Sequence, residues 1–154
     1  MSTVVADLLS VLALTGSGTV AGVLFAVALS TLPALIAMPP GRYVYAQKLL
    51  GRNWDPTMPV VVLSSTLAEI VLAVSTPGIA ATLLFGGAAV ALLGVSVVSH
   101  WCNVPINRQT RELDPDRLPE DWHDPRPLWR RWHFLRTALA MLALVCTAVA
   151  VTIT

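Results

Sequence analysis

Four long apolar stretches divide the chain, with polar or turn-forming segments between them. The first lies within residues 8–38, "LLSVLALTGSGTVAGVLFAVALSTLPALIAM", and the second is "MPVVVLSSTLAEIVLAVS", 58–75. The third runs from Ile79 to about Asn103; the fourth, "HFLRTALAMLALVCTAVAVTIT", covers 133–154. Crossing a hydrocarbon core about 30 Å thick takes roughly 20 residues of helix, so each stretch is long enough to span a bilayer. The expected architecture is all-α: one domain forming an integral membrane four-helix bundle, with spans at about 12–38, 58–75, 79–103 and 133–154.

The first stretch is longer than one crossing needs, so it is expected to tilt, bend at Pro33 or begin outside the bilayer. It lacks the basic n-region and short apolar core of a cleaved signal peptide. Its "GSGTVAG" is no dinucleotide loop, because no strand precedes it. Gly18 and Gly22 instead make a small-xxx-small spacing that permits close helix approach.

The connections are unequal. Residues 39–57 and 104–132 are long and polar, whereas "STPG", 75–78, is a tight turn. An even number of spans puts both termini and that turn on one face. Arg42, Lys48 and Arg52 lie in the first long segment, and Arg108, Arg111, Arg117, Arg126, Arg130 and Arg131 in the second. The remaining basic residue, Arg136, is one turn into the fourth span on the same side. Positive charge marks the cytoplasmic face. Both long loops are therefore expected in the cytoplasm and both termini outside, in the plasma membrane.

Composition agrees with this reading. The chain is 55% hydrophobic and 12% charged, with a mean hydropathy of +0.70, where a soluble domain carries about 25% charged residues. Basic residues share their segments with most of the acidic ones, which argues against nucleic acid as a partner. Cys102 and Cys146 fall at different depths, too far apart for a disulfide.

Candidate chemistry gathers at the cytoplasmic end, where all five tryptophans and all three histidines lie. An aromatic belt accounts for part of that bias, but belts mark both interfaces. Glu69 is the exception, deep in the second span with Ser65 one turn before it. A carboxylate there must face the bundle interior, as a helix lock, a proton acceptor or a metal ligand. At the end of the third span His100, Asn103 and Asn107 stand at i, i+3 and i+7, one helical face, with Trp101 and Cys102 turned away. Pro105 removes a backbone donor and is expected to bend the chain here. On the fourth span Trp129, His133 and Arg136 make a second face at the same depth. Convergence of the two faces would place two imidazoles, two amides and a guanidinium above Glu69. Histidine there suits removal of a proton from an acidic carbon or phenol, and Asn and Arg suit the resulting oxyanion. The alternative is copper or iron held by His100, His133 and Glu69, although neither HExxH nor a Glu-x-x-His pair is present. His123 lies in the Pro-rich loop "PEDWHDPRP" and is expected to be exposed.

Four segments then fall in a familiar order: "GTVAGVLFAVALSTLPAL", "NWDPTMP", "VPINRQ" and "RRWHFLRTALAMLAL". Over nearly its whole length the chain resembles the anthrone-oxygenase-like family of small four-helix membrane proteins. The most specific part is P-I-N-R followed by W-H-x-x-R-T. The resemblance implies an oxygenase, often associated with polyketide pathways, that converts anthrones to anthraquinones with molecular oxygen and no cofactor. Carried over residue by residue, it points to Asn107, Arg108, Trp132, His133 and Arg136; His100 and Asn103 are added by helical spacing. The expected substrate is an apolar aromatic partitioned into the lipid bilayer, with Trp129, Trp132, Trp101 and Arg108 contacting it. Two further readings stay open: the metal-dependent oxygenase above, and a non-enzymatic partner-binding protein docking through 104–132. Four spans without inverted repeats make a poor transporter unless a homo-oligomer forms.

Overall fold

The computed structural model describes residues 2–154, apart from the side chain of Asp55. Six α-helices follow one another: α1 (Thr3–Ala26), α2 (Leu32–Ala37), α3 (Pro40–Ser75), α4 (Ile79–Val98), α5 (Val104–Glu112) and α6 (Arg126–Ile153). Two five-residue π-turns interrupt them, Val27–Thr31 between α1 and α2 and Ser99–Asn103 between α4 and α5. There are no named strands among the described residues, only an isolated bridge between Asp114 and Arg117.

Four segments are long and apolar enough to cross a membrane: Thr3–Ala37, Pro56–Ser75, Ile79–Glu112 and Arg126–Ile153. The chain is a multi-pass membrane protein. Helix α1 packs beside α3 and α6, and α4 beside the same two, so α1 faces α4 across the bundle axis and α3 faces α6. Small side chains line the contacts, among them Ala13, Ala21, Ala88, Ala91, Ala140 and Ala143, while Leu67, Leu83 and Val90 stay exposed on the outside. That inversion is expected where lipid is as apolar as leucine and helices associate by close backbone approach.

The glycine that permits the closest approach is Gly16. A Cβ there would run into the Ser65 side chain of α3. The expected Gly18/Gly22 pair does not have this role, since Gly22 has nothing near its Cβ direction and Gly18 meets only Leu144 at 3.8 Å. Gly78, at φ +103, turns the chain between α3 and α4, a backbone conformation open to glycine.

The two π-turns share a cause. Each ends two residues before a proline, Thr31 before Pro33 and Asn103 before Pro105. Proline has no N–H to give, and its ring collides with the carbonyl four residues back. An i→i+5 turn carries one extra residue and lets the helix pass this point without breaking. A bend was one expectation at Pro33 and the expectation at Pro105; what the chain has at each is a π-turn.

The long segments are more ordered than polar composition suggested. Residues 40–57, expected as a loop, continue α3 as one helix of 36 residues through Pro56 and Pro59. In the second segment α5 occupies 104–112 and α6 begins at Arg126, seven residues before the expected start of the fourth span. Arg126 ties this end together. Its Nη1 donates to the carbonyls of Leu35 (3.0 Å), Ile36 (3.1 Å) and Met38 (2.7 Å), the free end of α2. Its Nη2 pairs with Asp124 at 2.6 Å, and the guanidinium lies 5.1 Å from the centre of the Tyr43 ring. These hydrogen bonds hold the Asp124 carboxyl below the usual aspartate range, and burial holds the Tyr43 phenol above its own.

Candidate functional site

Two buried polar layers cross the bundle at different depths. The one nearer the long segments forms where both π-turns meet α6. His133 is fully buried there. Its Nε2 lies 3.0 Å from the carbonyl oxygen of Leu24, just before the first π-turn. A carbonyl only accepts, so Nε2 carries the hydrogen. Two nitrogens of Arg136, Nε at 3.2 Å and Nη2 at 2.8 Å, converge on His133 Nδ1. Guanidinium nitrogens only donate, so Nδ1 is the bare nitrogen and the imidazole is neutral. Arg136 also reaches Ser99 Oγ, at 3.4 Å, on the second π-turn.

The network runs on from His133 toward the long segments. Trp129 stacks on the imidazole, with ring centres 5.2 Å apart and planes 17° from parallel. The indole N–H donates to Asn107 Oδ1 at 3.1 Å, which also accepts from Gln47 Nε2 at 3.1 Å. Asn103 is fully buried; its amide nitrogen lies 3.5 Å from Trp129 O and its Oδ1 has no hydrogen-bond partner. An unpaired buried acceptor costs about 1–3 kcal/mol. Such a group, on the π-turn that meets α6 at Trp129, marks a place where a donor is wanted.

The expected convergence of two faces holds for one partner and fails for the other. Asn103, Asn107, Trp129, His133 and Arg136 come together. His100 does not: it is exposed and meets the neighbouring Trp101 edge-on at 6.0 Å. The expectation assumed an unbroken α-helix from His100 to Asn107. The π-turn over Ser99–Asn103 adds a residue to that turn, so Asn103 faces inward while His100 faces out. Trp101, 70% exposed, and Arg108 also point away, and Trp132 is partly buried against the Tyr43–Trp129 cluster.

Glu69 belongs to the other layer. Val20, Ala21, Val62, Leu92, Ala140 and Ala143 pack into an apolar plug between the two. The fourteen residues of α6 from His133 to Thr147 amount to about 21 Å of rise. Glu69 is fully buried, with Oε1 2.5 Å from Thr147 Oγ1 and 3.4 Å from Ser17 Oγ, and Oε2 without a partner. The Thr147 hydroxyl also donates to Ala143 O at 2.8 Å. A hydroxyl has one proton, so the short contact is complete when the carboxyl supplies its own. This layer joins α3 to α6 across the bundle axis, with α1 between.

The alternative metal set is therefore not assembled. His100 is outside, and Glu69 and His133 lie on opposite sides of the plug. Among the described residues no three His, Cys, Asp or Glu side chains come together as metal ligands. Two surface grooves, about 530 and 470 Å³, lie beside Pro39, Arg42 and Tyr45, and neither is lined by His133.

Sequence reasoning missed Gln47, Ser99, Ser17 and Thr147. Gln47 was legible in principle, since it stands one turn after Tyr43 once 40–57 is read as helix. Ser99 required the π-turn. Ser17 and Thr147 gave no signal, because hydroxyls within apolar spans usually bond back to their own helix, as Thr66 does to Val62.

A four-span all-helical membrane protein with a buried Trp–His–Arg layer beneath two proline-induced π-turns is the class these observations define. The family model described as anthrone oxygenase matches residues 48–146. The chain belongs to that family. No curated protein and no solved structure matches it.

Proposed function

We propose that this protein is a membrane-embedded oxygenase that converts an anthrone-type aromatic ketone to the quinone with O2. The observation that carries the reading is the buried His133–Arg136 pair, stacked on Trp129, in a chain of the anthrone oxygenase family. The C10 hydrogens of an anthrone are acidic because the carbanion delocalises onto the carbonyl oxygen. His133 Nδ1 takes one, Arg136 holds the enolate oxygen, and Asn103 and Asn107 complete the polar wall. Trp129 orients the imidazole by stacking, and the apolar bundle surface meets a substrate dissolved in lipid.

The electrons balance without an added reductant. The enolate carbon combines with O2 to give a peroxide anion at C10, which takes a proton from the histidine. Loss of the second C10 hydrogen with cleavage of the O–O bond leaves the quinone and one water. The reaction needs no cofactor beyond O2.

The long segments face the cytoplasm in this reading, and the termini lie outside the plasma membrane. The confinement of every lysine and arginine to the long segments and the adjoining turn of α6 supports it. The test is oxygen uptake by purified protein given anthrone, with quinone formation followed by absorbance. His133→Ala is expected to lower kcat by about 10²–10⁴-fold, the usual loss for a general base. Native turnover in that variant removes His133 from the reaction.

A further inference from the structure

The base assigned to His133 is covered, and the group covering it is the one the oxyanion needs. His133 is fully buried and both ring nitrogens are engaged, Nε2 with Leu24 O and Nδ1 with two nitrogens of Arg136. A lone pair that already accepts from a guanidinium removes no proton. Resting on the oxygenase reading, we propose that Arg136 is a substrate-displaced cover: the guanidinium leaves His133 Nδ1 for the substrate's carbonyl oxygen, and only then is the base free.

The two partners differ in what holds them. The imidazole is pinned by the stacked Trp129, by the Leu24 carbonyl and by complete burial. Its position and tautomer persist whatever Arg136 does. Arg136 is half-buried, sits one turn along the same helix, and approaches Ser99 Oγ at a long 3.4 Å. An arginine side chain has several rotatable bonds through which its guanidinium can be re-aimed, whereas a stacked and fully buried ring has none to spare. The guanidinium therefore moves and the imidazole waits.

The exchange is chemically matched. An anthrone carbonyl offers Arg136 a neutral oxygen acceptor in place of a neutral nitrogen acceptor. As the C10–H bond breaks, its electron pair moves onto that oxygen and the proton onto Nδ1. The bond from Arg136 then becomes charge-assisted at the moment the charge forms. Nε2–H stays on Leu24 O, so the imidazolium has a donor site already satisfied. One guanidinium thus prevents proton transfer in the absence of an oxyanion partner and stabilises the enolate once one is present. The coupling also keeps the histidine from reacting with other electrophiles that reach the bundle.

The experiment uses the purified full-length protein in two arms. In the first, diethyl pyrocarbonate labels histidines without any substrate, read by peptide mass. His100 and His123 are exposed and serve as internal references. His133 is expected to go from unlabelled in the native protein to labelled in Arg136→Ala, with the references unchanged. In the second arm, anthrone oxidation by Arg136→Ala is expected to fall about 10²–10³-fold in kcat, the size of losing one oxyanion donor, with a smaller change in KM. Added guanidinium is expected to restore part of it, which a merely structural arginine would not allow. Arg136→Lys keeps the charge and guards against a folding failure of the alanine variant; it is expected to turn over more slowly than native with KM nearly unchanged. Equal labelling of His133 in native protein and Arg136→Ala, with anthrone oxidation intact in the native protein, overturns the cover and leaves the oxygenase reading standing. Native protein inert toward anthrone overturns the oxygenase reading, and the displacement step with it.

Discussion

The Glu69 layer and the His133 layer are both sealed from solvent, yet they are made differently. Glu69, Ser17 and Thr147 sit on uninterrupted α-helices, and their hydroxyls turn inward to a single carboxyl oxygen. In the other layer Ser99 and Asn103 sit on the second π-turn, His133 reaches from α6 to the Leu24 carbonyl just before the first, and the half-buried guanidinium of Arg136 edges the cluster. The first arrangement uses a buried polar group to fix which helices touch. Each leaves one buried oxygen unpaired, Glu69 Oε2 in the first and Asn103 Oδ1 in the second, but only the second sets a guanidinium over the lone pair of an imidazole. A lock and a reaction centre can thus have the same burial and differ in what their polar groups present, hydroxyls on a carboxyl in one and a cation on a base in the other.

Substituting one layer at a time is the strongest way to break this contrast. His133→Ala is expected to abolish nearly all turnover, as stated above, whereas Glu69→Gln is expected to leave kcat within a few-fold of native. The glutamine amide can donate to Thr147 where the carboxyl does. Glu69→Ala is expected to cost about 1–3 kcal/mol of stability, the range for stranding buried hydrogen-bonding partners. Turnover lost in Glu69→Gln with the fold intact would merge the two layers functionally and end the comparison.

The next effect in size concerns helix approach. Gly16→Ala places a methyl against Ser65 one turn before Glu69. Overpacking of this kind costs about 1–3 kcal/mol, and the double variant with Ser65→Gly is expected to recover most of it in thermal unfolding. Failure of that rescue would mean the α1–α3 approach is set elsewhere.

The smallest effect is electrostatic and lies outside the spans. Hydrogen bonds from Arg126 lower the Asp124 pKa, so this pair adds stability above the unfolded aspartate value. That contribution is lost as pH falls through the lower folded value. Acid unfolding of Asp124→Asn is expected to show a slightly shallower pH dependence than native in that window. An unchanged slope would detach the pair from stability and leave only its hold on α2.

Much of this molecule was legible from the order of residues. Four crossings, the tight turn at Gly78, the free cysteines and the burial of Glu69 follow from apolar length and the cost of burying polar groups in lipid. The grouping of Trp129, His133 and Arg136 follows from α-helical spacing, because α6 is unbroken from Arg126 to Ile153. The outward turn of His100 was hidden, since a single added residue in a π-turn rotates the face a side chain takes by about 100°. Helix 40–57 was hidden because its polar surface packs on a neighbouring helix and connecting segment, through Gln47 to Asn107 and Lys48 to Leu113 O at 2.6 Å. Sequence fixes what each segment is compatible with, through hydrophobicity and local backbone preference. Only the packed bundle decided which lone pair faces which donor, because a hydrogen bond depends on a few tenths of an ångström between helices far apart in the chain.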